Sequence, residues 1–179
     1  MIRPVFLCLA IACAPNLALA EMRLTSPDLV DGGTLPADQV FNGFGCSGAN
    51  LSPALAWSGA PEGTKSFILT AYDPDAPTGS GWWHWTVANI PAGVTALAEG
   101  ASPAAMPAGA IEGRTDFGTP GFGGACPPEG AAPHRYVFTV FAMPEAALPL
   151  DANASGAMVG FYATAMALDK ALVTVTYGR

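Results

Sequence analysis

The segment from Asp73 to Trp82 does more than any other to limit how this chain can fold. Pro74 and Pro77 fix φ and withhold two backbone donors, while Gly79 and Gly81 tolerate positive φ, so neither a helix nor a strand can run through it. The chain must turn here. The residues before it, Lys65 to Tyr72, and after it, Trp83 to Ile90, are apolar on both alternating faces, the pattern of strands covered on both sides. Two such strands joined by a stiff loop predict an antiparallel hairpin, which would make neighbours of Asp73 and His84.

A second Gly/Pro-rich loop, Gly121 to Pro133, feeds a third doubly apolar strand, Tyr136 to Met143. His134 stands at its entrance. The chain has two histidines, and both lie where a stiff loop meets a buried strand. Asp73, His84, Pro128, His134 and Tyr136 are therefore expected to share one small pocket. Imidazoles, backbone N–H groups of a Gly/Pro loop and an aromatic rim could there hold an anion such as phosphate or acetate. Asp73 would orient one imidazole by accepting from it, leaving the other ring nitrogen to the ligand. Pro74, Asp75, Pro77, Trp83, Gly124 and Pro127 are expected to support the loops, with Asp75 as a brace. Strand alternation predicts Trp83 and Trp85 on the face opposite His84.

The rest of the chain reads as a mainly β domain. Met22 to Ser26 suits an edge strand ended by Pro27, Ala54 to Ser58 a short strand, and Leu172 to Tyr177 a last one. Phe41 to Pro53 is rich in glycine but has no Lys-Ser/Thr ending and no amphipathic sequel, so it is expected as a surface loop and not a phosphate cradle. Ala98 to Arg114 is expected to be surface loop as well. Asp116-Phe117-Gly118 stands without the other elements of a kinase. Ser155 is placed to cap a helix over Gly156 to Lys170, whose Met158, Phe161, Tyr162, Ala165 and Leu168 form a stripe expected to pack on the core. Short strands punctuated by turns, with one late helix, predict an antiparallel β-sandwich.

Length and composition bound the compartment and the partners. At 179 residues and 51% hydrophobic content, one domain with one core suffices. Arg3, an apolar run from Val5 to Ala14 and Ala18-Leu19-Ala20 read as a cleavable signal peptide over residues 1–20, cut after Ala20 and leaving a domain over 21–179. A lipidated Cys13 is the alternative. The run is too short to span a bilayer, and stable membrane insertion is not expected. The net charge of −7 becomes −8 once Arg3 leaves with the leader, and no two basic residues adjoin, which disfavours nucleic acid as a partner. An exported chain, periplasmic or secreted, fits this balance. Cys8 and Cys13 leave with the leader, and the remaining pair, Cys46 and Cys126, most simply forms a disulfide in an oxidising compartment, with two buried thiols as the alternative.

Three ordered motifs carry a family resemblance. Asp73-Pro74-Asp75-Ala76-Pro77, then Trp83-His84-Trp85, then Gly124-x-Cys126-Pro127-Pro128 with His134-Arg135-Tyr136 resemble the phosphatidylethanolamine-binding protein family, and in particular its bacterial Raf kinase inhibitor-like, YbhB/YbcL, branch. The resemblance runs from Leu24 to Arg179. It implies a Greek-key β-sandwich and an anion pocket for phosphoryl headgroups, with Asp73, His84, Pro128, His134 and Tyr136 at the matching positions. Eukaryotic members have a longer loop after the first motif and a closing C-terminal helix. Here Thr78-Gly79-Ser80-Gly81 is short and the sequence stops after the last strand, so lipid-headgroup specificity and kinase inhibition are not carried over.

Four functions are compatible with these residues. The leading one is binding of a small anionic or phosphorylated ligand, without cofactor, metal or catalysis, by a monomer or homodimer. A protein-interaction or inhibitor module, directed at a protease or kinase, would instead use the pocket rim and the 98–114 segment. A weak hydrolase would use the two histidines and Asp73 for acid–base work, although no nucleophile motif accompanies them. A metal-binding protein would use Asp73, His84 and His134 as a two-histidine, one-carboxylate set.

Overall fold

The computed structural model describes residues 21–179; the signal peptide expected over 1–20, with Cys8 and Cys13, lies outside the described residues. The elements run β1 (Arg23–Thr25), a 3-10 turn (Ala37–Gln39), β2 (Asn42–Gly43), β3 (Cys46–Ser47), β4 (Leu55–Ser58), β5 (Ser66–Asp73), β6 (Trp82–Pro91), β7 (Ala96–Leu97), β8 (Ile111–Glu112), β9 (His134–Met143), α1 (Gly156–Met166) and β10 (Asp169–Tyr177). The hairpin and the third apolar strand form where the alternating pattern predicts them.

A five-stranded sheet in the order β10-β9-β5-β6-β8 faces a three-stranded sheet in the order β1-β4-β7, and every strand pair is antiparallel. Of the four strands β5, β6, β8 and β9, the last returns to lie beside the first, which is the Greek-key arrangement. β5 explains the doubly apolar pattern. Phe67, Leu69 and Ala71 point toward the second sheet and join Leu24, Leu55, Trp57 and Leu97 in the main core. Ile68 points the other way, into a second cluster with Val159 and Ala163 of α1. Sandwich on one face and helix on the other leave no wet side for these strands.

The strand pairing of β5 with β6 is interrupted twice. Tyr72 pairs with Trp83 and Ala71 with Trp85, so His84 is an extra residue, a β-bulge. The bulge sets the faces of three side chains. Trp83 lies against α1, while Trp85 belongs to the main core and His84 packs on Tyr136 of that same core. The expectation that Trp83 and Trp85 both oppose His84 therefore holds for Trp83 alone, because simple alternation does not survive an inserted residue.

Two further expectations are corrected. Ser155 caps α1 by accepting from the N–H of Met158, as read from the sequence, but the helix stops at Met166, and Lys170 belongs to β10. The buried face is Gly156, Val159 and Ala163, whereas Met158, Phe161 and Leu168 are 49%, 65% and 46% exposed. Trp83 dictates this choice. A Cβ on Gly156 would lie 2.1 Å from Trp83 Cγ, and one on Gly160 would lie 2.7 Å from Trp83 Cη2, so the indole is seated on the smooth face of the helix. A larger side chain cannot take that face. The 98–114 segment, expected to be all surface loop, contributes β8 to the main sheet and buries Ala101. It is held by a polar cluster that composition does not reveal, in which Glu112 Oε1 accepts from Trp85 Nε1 at 2.7 Å and from Ser102 Oγ, while Ser102 Oγ accepts from the N–H of Phe122.

Candidate functional site

The main core runs out at the open end of β5 and β9, and the residues continuing its inward face there are polar. On β5, Asp73 follows Phe67, Leu69 and Ala71; on β9, His134 and Tyr136 precede Phe138 and Val140. The bulge in β6 brings His84 to the same place. These four side chains, with Pro127 and Pro128, line a cavity of about 170 Å³, below the range of about 300–1,000 Å³ usual for drug-sized ligands. All five residues expected to share a pocket do share it. Asp73, His84 and His134 are buried, at 3%, 5% and 6% exposure.

Each imidazole has one nitrogen fixed by the protein. His134 Nδ1 lies 2.7 Å from Asp73 Oδ2, and the other oxygen of that carboxylate accepts from the N–H groups of Asp75 (2.8 Å) and Ala76 (3.0 Å). Asp73 thus folds the loop with one oxygen and aims a ring with the other. His84 Nδ1 donates to the carbonyl of Gly123 at 2.7 Å, and the N–H of Gly123 returns a bond to the carbonyl of His84 at 2.9 Å. Burial pushes the pKa of His84 down from the usual histidine value of 6.5, against the pull of the Gly123 carbonyl and of Asp73. Tyr136 is pushed up, chiefly by burial and then by Asp73. Its hydroxyl and the Nε1 of Trp82, another lining residue, are buried with no hydrogen-bond partner among the described residues.

Of the residues expected to support the loops, Asp75 and Gly124 hold neighbouring segments together, Pro77 and Pro127 line the cavity, and Trp83 lies against α1. Asp75 accepts from Arg135 Nε (2.9 Å) and NH2 (2.7 Å) and from its N–H, which clamps the Pro74–Pro77 loop to β9 from outside. The guanidinium lowers the Asp75 carboxyl to about 2. Gly124 is needed for close approach, since a Cβ there would meet the Gln39 carbonyl at 2.3 Å, and its N–H donates to Asn50 Oδ1. Cys46 and Cys126 form a disulfide that joins the β2–β3 hairpin to the proline wall. Arg179 repeats the tie, donating to the carbonyls of Pro127, Gly45 and Phe44.

Two aromatic residues that sequence reasoning passed over complete the rim. Phe44, at the tip of the β2–β3 turn, and Phe117 both line the cavity. The Phe117 ring lies 4.5 Å from Phe41, 5.3 Å from Trp82 and 5.4 Å from His84. Asp116 beside it accepts from the N–H of Trp83 at 2.7 Å. Asp-Phe-Gly is therefore a rim element, and its sole sequence signal is a large aromatic in a loop otherwise poor in apolar groups. Among the described residues no three of His, Cys, Asp and Glu converge as a metal site would, and both oxygens of Asp73 are engaged, so the geometry gives the iron-type reading no support.

A Greek-key sandwich with a histidine-lined pocket at the open end of its central strands defines a small class of proteins. The sequence profile of the phosphatidylethanolamine-binding protein family matches residues 25–178, and the chain belongs to that family. YbcL of Escherichia coli K12 is 53% identical over 161 residues, 88% of each chain, and its crystal structure superposes with a TM-score of 0.87 over 89% of this chain and 99% of that one. YbhB of the same organism is 52% identical over 158 residues, 87% of this chain and 99% of its own. LppC of Mycobacterium tuberculosis, which carries a lipoprotein designation, is 36% identical over 145 residues, 81% of this chain and 66% of its own.

Proposed function

We propose that the protein binds small anionic, phosphorylated ligands, of the phosphate or phospholipid-headgroup kind, in the pocket of Asp73, His84, Pro128, His134 and Tyr136, and that it does so without turnover. One observation carries this reading. Both imidazoles are fixed through Nδ1, and beside them two buried donors, the Tyr136 hydroxyl and Trp82 Nε1, have no partner among the described residues. A buried polar group without a partner costs about 1–3 kcal/mol, and an oxyanion supplies acceptors for several at once. The small cavity favours a headgroup-sized moiety over a whole lipid.

Binding without chemistry is favoured because, among the described residues, no activated nucleophile adjoins the rings and the one carboxylate lining the cavity is spent on loop and ring. Export through the leader over 1–20 fits the disulfide and the lipoprotein designation of LppC. No helix among the described residues is long and apolar enough to cross a membrane. Calorimetry with phosphate and phosphoethanolamine tests the reading: His134→Ala should weaken binding at least tenfold, about 1.4 kcal/mol, with the fold intact by circular dichroism. Unchanged affinity would remove His134 from the site, and turnover of aryl phosphates that His84→Ala abolishes would replace binding with hydrolysis.

A further inference from the structure

The donor and acceptor pattern of the pocket restricts which phosphoryl group fits, an inference that rests on the anion-binding reading above. The Gly123 carbonyl can only accept, so the proton of a neutral His84 sits on Nδ1 and the Nε2 atom carries a lone pair. Burial favours the neutral ring, against Asp73 on β5 and Asp116 in the loop after β8, which both favour its charged form. His134 and Tyr136 on β9 are the other titratable groups beside it. Among the described residues no lysine or arginine lines the cavity. A charged His134 would be matched by Asp73 at 2.7 Å, so the pair adds no net positive charge.

An oxyanion that is all acceptors therefore meets an acceptor at His84, and a second negative charge meets no compensating cation. We propose that the pocket selects a phosphoryl group that still carries a hydroxyl, namely a phosphomonoester or inorganic phosphate taken as its monoanion, with that hydroxyl donating to His84 Nε2. Phosphodiesters, the form of phosphate in most phospholipid headgroups, have no such proton. Tyr136 and Trp82 then donate to the ionised oxygens.

Methyl phosphate and dimethyl phosphate, compared by calorimetry, separate these forms. At about pH 6, near the second ionisation of a phosphomonoester, methyl phosphate should bind at least tenfold more tightly. At about pH 8, where the free monoester is a dianion, its binding should take up close to one proton, read from heats in two buffers of different ionisation enthalpy. In His84→Gln, whose amide can donate, the preference should fall toward parity, while His134→Gln weakens both esters and keeps it. Equal affinity of the wild-type protein for the two esters, or binding of the dianion without proton uptake, would overturn the proposal and leave an anion pocket. Failure of both esters to bind at any pH would remove the anion pocket as well. Vesicles give the source: displacement of methyl phosphate by phosphatidic acid in phosphatidylcholine indicates a lipid-borne monoester, displacement by soluble monoesters alone a free one, and displacement by pure phosphatidylcholine contradicts the selectivity.

Discussion

Asp73 Oδ2 and His134 Nδ1 lie 2.7 Å apart, on adjacent strands of one sheet and 61 residues apart in the chain. Because the second oxygen of Asp73 closes the loop through the N–H groups of Asp75 and Ala76, one carboxylate fixes both the wall of the pocket and the orientation of the ring inside it. In the neutral ring the proton belongs on Nδ1 and Nε2 is free for ligand.

Asp73→Asn tests that assignment without removing the loop bonds. The amide oxygen can still accept from residues 75 and 76, which leaves the amide N–H₂ facing Nδ1, donor against donor. The neutral ring should respond by moving its proton to Nε2. Long-range proton–nitrogen NMR reads the tautomer directly. A ring that keeps its proton on Nδ1 in the variant would mean that the carboxylate does not set the tautomer.

His84 makes stability depend on pH. Its folded pKa lies below 6.5, so between the two values the unfolded chain holds a proton that the folded chain does not. Stability is then complete above about pH 6.5 and falls as the pH drops below it, with a slope of at most about 1.4 kcal/mol per pH unit for one proton. His84→Gln should flatten this part of the curve in urea titrations. An unchanged slope would assign the acid sensitivity to another group.

Asp75 acts lower on the same scale. Its pKa falls from 3.8 to about 2 through Arg135, so its contribution is present above about pH 4 and lost as the pH falls to about 2. In Asp75→Asn the acid-unfolding curve should lose its dependence in that window, and the Pro74–Pro77 loop should exchange its amide protons faster. Wild-type behaviour on both counts would show that the exposed ion pair braces nothing.

The elements and the pocket were legible for different reasons. Doubly apolar runs separated by Gly/Pro loops encode strands covered on both faces, and that signal is local, so β5, β6 and β9 could be read from the sequence. Which residues the loops bring together was legible through the ordered motifs, as Asp73, His84, Pro128, His134 and Tyr136 attest. What could not be read depended on contacts between distant segments. The bulge at His84 is a mismatch in register between two strands, so alternation misplaced Trp85. The face of α1 was settled by Trp83, about 75 residues earlier, and not by the helix's own largest apolar residues. Phe44 and Phe117 reach the rim from loops with no period at all.

The disulfide between Cys46 and Cys126 should contribute to both stability and site shape. It closes a span of 80 residues, worth about 4–5 kcal/mol in the chain-entropy picture and often less in measurement. The Cys46→Ser, Cys126→Ser double variant should unfold at lower urea. Arg179 still ties Phe44 and Gly45 to Pro127, so ligand affinity should drop by less than stability does. Loss of all binding in a folded double variant would make the disulfide, and not Arg179, the tie that holds the proline wall.

Gly160→Ala gives a result whose sign separates tertiary packing from helix propensity. In an isolated helix the change stabilises by about 0.8–1 kcal/mol. Here the added methyl would stand 2.7 Å from Cη2 of Trp83, and the indole cannot swing freely, because Tyr72 packs on it at 4.5 Å and the N–H of Trp83 is held by Asp116. Overpacking of this kind costs about 1–3 kcal/mol, so the net change should be destabilising. The companion Phe161→Ala removes a side chain that is 65% exposed and should change stability little. Urea denaturation of the two variants distinguishes the faces of α1: a stabilised Gly160→Ala together with a strongly destabilised Phe161→Ala would mean that the helix packs through the stripe of large residues and not through its glycines.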